Sequence, residues 1–128
     1  MRFKPDRSVV NDPQRQLALD TLNRRMAAIY RQDRKPVIFE FVPLIDQRVQ
    51  LMDDGTTRII REVLGDCHHE IGRIRLVAKP GWENTAVHEM VHLYNPGRSE
   101  RWVEKATLDV VRLLKQGALW PKAAAEEG

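Results

Sequence analysis

Thr85-Ala86-Val87-His88-Glu89-Met90-Val91-His92 is the stretch around which this chain of 128 residues is organised. His88 and His92 stand four apart, the spacing that puts two imidazoles on one face of a helix, where both can grip one metal ion. Glu89 beside them is placed to act as general base toward a metal-bound water. On a helical wheel Thr85, His88, Glu89 and His92 fill one sector. Val87, Met90, Val91 and Tyr94, at i, i+3, i+4 and i+7, form an apolar stripe on the other. Such a helix buries its back in a core and shows its ligand face to a cleft. An ordinary amphipathic helix with two half-buried histidines is the bland alternative, and the acid adjacent to His88 favours the metal reading.

Composition limits what surrounds this helix. The length suits one domain with a real core, and charged residues make up 30% of the chain. Mean hydropathy is −0.49, as expected of a soluble protein, and no apolar run approaches the length that spans a bilayer. Met1-Arg2-Phe3-Lys4-Pro5-Asp6-Arg7 has no apolar core of a signal peptide. The single cysteine, Cys67, excludes an internal disulfide and any C-x-x-C zinc ribbon. A cytoplasmic location is the expectation. The net charge of +3 is a mild basic excess, which permits a polyanionic partner and demands none.

The order of elements reads outward from the motif. Residues 1–12 form a polar lead-in, and Asp12-Pro13 reads as a cap and first residue of a helix. Leu17, Leu19, Leu22, Met26, Ile29 and Tyr30 continue it at helical spacing to about Gln32, with Pro36 as the stop. Val37–Val42 is β-rich. Arg48–Met52 and Thr57–Val63 flank Asp53-Asp54-Gly55, a hairpin turn. Leu64-Gly65-Asp66 breaks the pattern, and Ile71–Ala78 alternates as a strand. The motif helix follows from about Trp82 to Tyr94. After the turn at Asn95-Pro96-Gly97, Ser99 caps a last helix to about Gln116, with Trp102, Val103, Ala106, Val110, Val111 and Leu114 inward. Trp120-Pro121 tucks back and 121–128 is a frayed tail. The expected fold is α+β: an N-terminal helix, a small, mainly antiparallel sheet of about four strands, the H-E-x-x-H helix and a C-terminal helix, in one domain over residues 13–120.

Several features of the second half together resemble the SprT-like zinc metalloproteases. Gly72-Arg73-Ile74-Arg75-Leu76 is similar to that family's G-x-I-x-L strand ahead of the active-site helix. His88-Glu89-Met90-Val91-His92-Leu93-Tyr94-Asn95 resembles its H-E-M-V-H-L-Y-N helix, and Trp102 sits where the family has an aromatic four residues past its third ligand. The resemblance covers about residues 20–115, with its specific part in 72–102. It implies a zincin-like fold, a Zn2+ cofactor and hydrolysis of a peptide or protein substrate, with Glu89 catalytic. The chain departs from the family at one position: Arg98 stands where the third histidine belongs, and no histidine follows His92. Arginine has no free lone pair for a cation.

A carboxylate is the acceptable substitute. Glu100 and Glu104 lie one turn apart on the last helix; Glu100 is nearer the family's position, and Glu104 is the alternative if the two helices form a tight hairpin. Cys67, His68 and His69 are further donors, read here as surface turn residues. Arg98 and Tyr94 are candidates for contact with an oxyanion or the substrate, and the Gly72–Ala78 strand is an expected edge for an extended peptide. A second reading makes the chain a catalytically impaired module that binds nucleic acid or protein, with Arg98 as its main support. A third makes the histidines and Cys67 a structural zinc site. Arg15, Arg24, Arg25, Arg31, Arg34 and Lys35 give the first helix a basic character, ordinarily a solvated face and alternatively a DNA contact.

Overall fold

Pro13, its fixed φ suited to a first helical position, opens α1 (Pro13–Ile29) in the computed structural model, which describes residues 13–117. The lead-in 1–12 with its Asp12 cap, Trp120-Pro121 and the tail 121–128 lie outside the described residues. Leu19, Leu22 and Met26 of α1 are fully buried, whereas Leu17 is 64% exposed and does not join the stripe expected of it. The helix ends before Gln32, and not because of Pro36. Arg31 adopts a left-handed conformation, φ 51°. The Gln32 N–H then donates back to the Ala27 carbonyl at 2.9 Å and the Arg31 N–H to that of Ala28 at 3.2 Å, which closes the last turn.

Five strands follow rather than four: β1 (Ile38–Val42), β2 (Asp46–Leu51), β3 (Thr57–Val63), β4 (Gly65–His68) and β5 (Arg73–Val77). They form two sheets. β2 and β3 pair as the expected hairpin around Gly55, while β1, β5 and β4 form a second sheet in that order. β1 runs parallel to β5 and β4 antiparallel to it, so this sheet is mixed; two of the three strand pairings are antiparallel, as expected, and the single sheet is corrected to two. β4 was hidden because Gly65-Asp66 reads as a breaker. Its presence makes β5 the central strand. The Gly72–Ala78 segment is therefore paired on both sides and offers no free edge; the edge near the motif helix is β4. Gly72 is required at the entry to β5: its φ is +64°, its carbonyl accepts the Ile38 N–H at 2.8 Å, and a Cβ there would lie 2.6 Å from the Pro36 carbonyl oxygen.

Phe39 and Phe41 of β1 join Ile74 and Leu76 of β5 in the core. α2 (Trp82–Tyr94) lies at the centre, packed against α1, β4, β5 and α3 (Glu100–Gln116). Its expected apolar back is buried, with Val87, Met90 and Val91 at 0% exposure and Tyr94 at 2%. Each such aliphatic side chain contributes roughly 1.5–3 kcal/mol by leaving water. Ala86 and Leu93 are buried as well, so α2 is apolar over more of its circumference than one stripe. On α3 only Val103, Val110 and Leu114 of the expected inward set are fully enclosed; Trp102, Ala106 and Val111 pack at the margin. Among the described residues no helix is long and apolar enough to cross a membrane.

Candidate metal centre

Both ends of α2 are held. Trp82 in its first turn meets the Phe41 ring edge-on, centroids 5.4 Å apart. At its C-terminus, where helical carbonyls lack intrahelical donors, Lys35 Nζ donates to the Leu93 carbonyl and Gln32 Nε2 to that of Tyr94, each at 2.9 Å. The Tyr94 hydroxyl donates to Asn23 Oδ1 and accepts the Lys35 N–H. These contacts fix the helix axis and therefore the direction in which His88 and His92 project.

After Asn95, whose N–H reaches back to the Val91 and His92 carbonyls, the chain reverses through Pro96-Gly97. Ser99 then caps α3 as expected, its Oγ accepting the Trp102 N–H at 3.1 Å. The cap makes Glu100 the first residue of α3, at the end of the helix nearest the two histidines. Glu100 Oε1 lies 2.7 Å from His88 Nε2, and Oε2 lies 2.9 Å from His92 Nε2. The imidazole rings stand nearly perpendicular, 5.0 Å between centroids. One ligand atom from each of His88, His92 and Glu100 falls within 4.8 Å of the others, so this group can hold a metal ion.

Glu89, next to His88 in the chain, is only 6% exposed and lines the same cleft as the triad. Burial, followed by the charges of Glu100 and Asp66, pushes its carboxyl up to about 8. The acid is thus deeper than the wheel implied. The cleft in front of the triad has a volume of about 1070 Å3 and is walled by Leu64 to Cys67 on the strand side and by Glu100, Glu104, Leu108 and Val111 of α3 on the other.

Not every anticipated residue belongs here. Glu104 lines the cleft one turn beyond Glu100 and is not part of the convergent group. Arg98 does not line it: its guanidinium lies over the Trp102 ring, 4.8 Å from the centroid. Tyr94 points into the core, where Asn23 and Lys35 occupy its hydroxyl, so the structure gives neither residue an oxyanion contact. Cys67 and His68 belong to β4 rather than to a turn. Cys67 and His69 line the cleft, but His68 pairs with Asp66 and His69 with Glu70, each at 3.4 Å. Burial, with Glu89 and Asp66 nearby, pushes the Cys67 thiol up to about 12. Lys35 is spent on the end of α2, which interrupts the basic surface expected of the first helix.

Sequence reasoning missed Gly65 and Asp66. A Cβ on Gly65 would lie 3.2 Å from Glu89 Cγ, so glycine lets β4 approach the motif helix beside its acid. Arg75 Nε donates to Asp66 Oδ1 at 2.9 Å, which holds that carboxyl below its ordinary range and ties β4 to β5. The usable signal was the alternation Arg73-Ile74-Arg75, whose two arginines share a face on which Glu40 and Asp66 of the neighbouring strands pair with them.

No family model matches the chain, and neither the curated proteins nor the solved structures include a significant match.

Proposed function

We propose that this chain is a zinc-dependent metallopeptidase with a zincin-like fold of the SprT-like type, in which Glu100 takes the place of the third histidine. One observation carries the reading: His88 Nε2 and His92 Nε2 converge on the two oxygens of a single carboxylate, at 2.7 and 2.9 Å. Two neutral imidazoles and one carboxylate are a catalytic zinc donor set, three protein ligands with one position left open. Bound there, zinc supplies Lewis acidity, lowering the pKa of water toward neutrality and polarising a carbonyl oxygen.

The protein's own groups do the rest. Glu89 accepts the proton of the attacking water and returns it to the leaving amine. β4 is an edge strand and lines the cleft beside the triad, where its backbone groups can pair with a polypeptide.

Zinc content and hydrolysis of casein test this together. Purified protein should hold one zinc per chain. His88→Ala and Glu100→Ala should lose it, and Glu89→Gln should keep it while losing hydrolysis. A wild type that holds no zinc under metal-replete conditions, or a Glu89→Gln variant as active as wild type, would refute the proposal.

A further inference from the structure

The face of α3 that walls the cleft changes character along its length. Glu100, Glu104, Leu108 and Val111 recur at i, i+4, i+8 and i+11 and all line the cleft. Glu100 belongs to the metal group; Glu104 is an exposed carboxylate beyond it; Leu108, 68% exposed, puts apolar surface on the same wall. Leu64, 42% exposed, adds apolar surface from the strand side.

The charges in the cleft single out Glu104. Glu62 is paired with Lys79 and Asp66 with Arg75. Among the described residues Glu104 is then the exposed cleft carboxylate with neither a cationic partner nor a place in the metal group, since Glu89 is buried. Arg61 lines the hairpin side of the same cleft, so a cationic side chain is repelled there and drawn to α3.

We infer that α3 reads the substrate: the cleft takes extended polypeptide segments carrying a basic side chain close to the scissile bond and aliphatic side chains just beyond it on the same side. The spacing follows from two rises. An α-helix advances about 1.5 Å per residue, which puts Glu104 roughly 6 Å from the Glu100 level, Leu108 roughly 12 Å and Val111 roughly 16 Å. An extended chain advances about 3.3 Å per residue and only alternate side chains share a face, so Glu104 matches the second residue from the cut and Leu108 with Val111 the fourth. Lys or Arg meets Glu104; Leu, Ile or Val meets Leu108, Val111 and Leu64. This inference rests on the metallopeptidase reading and specifies its substrate class.

The test is cleavage of a randomised decapeptide mixture by the zinc-loaded protein, with cut sites read by mass spectrometry. Lys and Arg should be enriched at the second residue and aliphatics at the fourth. Glu104→Lys should switch the charge preference to Asp and Glu by about tenfold, and Leu108→Asp should abolish the aliphatic preference. Both positions are exposed, so neither variant threatens the fold. Profiles identical to wild type in both variants would overturn the inference. If nothing is cut, fluorescence anisotropy on zinc-loaded Glu89→Gln decides, using a labelled Arg-aliphatic peptide and its Glu counterpart. Tighter binding of the first, reversed by Glu104→Lys, upholds the substrate class while the peptidase reading fails. Equal binding, or none, overturns the substrate class.

Discussion

Gly65 is pressed against Thr85: a Cβ on the glycine would fall 2.5 Å from Thr85 Cγ2, with the Arg75 carbonyl oxygen and Glu89 Cγ each at 3.2 Å. The edge strand therefore touches the motif helix at the turn that carries Glu89. Gly65→Ala should destabilise the fold by about 1–3 kcal/mol through overpacking and weaken zinc binding by displacing α2. Thr85→Ser removes the clashing methyl, so the double variant should recover part of the loss. Thermal melts of the four proteins read the cycle. Additive losses would show that the two residues do not meet.

Glu100 and Glu104 separate sharply. Glu100 reaches both imidazoles, whereas Glu104 stands outside the group. Glu100→Gln should weaken zinc affinity by on the order of a hundredfold, while Glu104→Gln should change it by less than about threefold, as measured by competition with a chromophoric chelator. Equal losses would mean that the two helices sit in another register.

Glu89 makes the metal-free protein sensitive to pH. Its folded-state carboxyl is raised to about 8 from an ordinary 4.5, so between those values the folded chain keeps a proton that the unfolded chain has released. Stability should therefore fall as pH rises from about 5 to 8 and level off above, by on the order of a few kcal/mol at most. Glu89→Gln, which carries no charge to bury, should lack this slope. Urea melts of the metal-free proteins at pH 5 and pH 8 make the comparison, and parallel slopes would contradict it.

The Cys67 thiol, pushed up to about 12, should resist alkylation although it lines the cleft. Iodoacetamide at pH 8 should modify the native protein at least tenfold more slowly than the urea-unfolded chain. Labelling at the same rate in both would place the thiol in water.

Tyr94→Phe tests the placement of the Tyr94 hydroxyl in the core, against Asn23 and Lys35. The variant leaves Asn23, 3% exposed, without its hydroxyl partner and should cost about 1–3 kcal/mol of stability. Zinc content and hydrolysis per folded molecule should be unchanged. A selective loss of hydrolysis would return Tyr94 to the cleft.

The local elements were readable because their causes are local. The hairpin turn at Asp53-Asp54-Gly55, the Ser99 cap and the buried stripe Val87, Met90, Val91 each depend on residues within a turn or two of one another. β4 escaped because four residues beginning Gly65-Asp66 have no periodicity to detect; they are a strand only because β5 supplies their partners. The end of α1 escaped because the left-handed residue that closes it is Arg31, not a glycine. Tyr94 was misplaced because its ring follows the apolar stripe while its hydroxyl is claimed by Asn23 and Lys35, more than fifty residues away.

Sequence alone determined that His88 and His92 share a helical face with an acid beside them, since spacing along a helix converts directly into angle. It also put two carboxylates on the next helix, Glu100 and Glu104, ahead of Cys67, His68 and His69 as candidates to complete the group. The choice between them belonged to tertiary structure. The reversal through Asn95-Pro96-Gly97 and the Ser99 cap set how far α3 is advanced along α2, and a shift of one helical turn, about 5.4 Å, exchanges Glu100 for Glu104. Periodicity within either helix is blind to that offset. Packing of α2 between α1, the sheet and α3 is what places the Glu100 carboxylate within 3 Å of both imidazoles, at 2.7 and 2.9 Å.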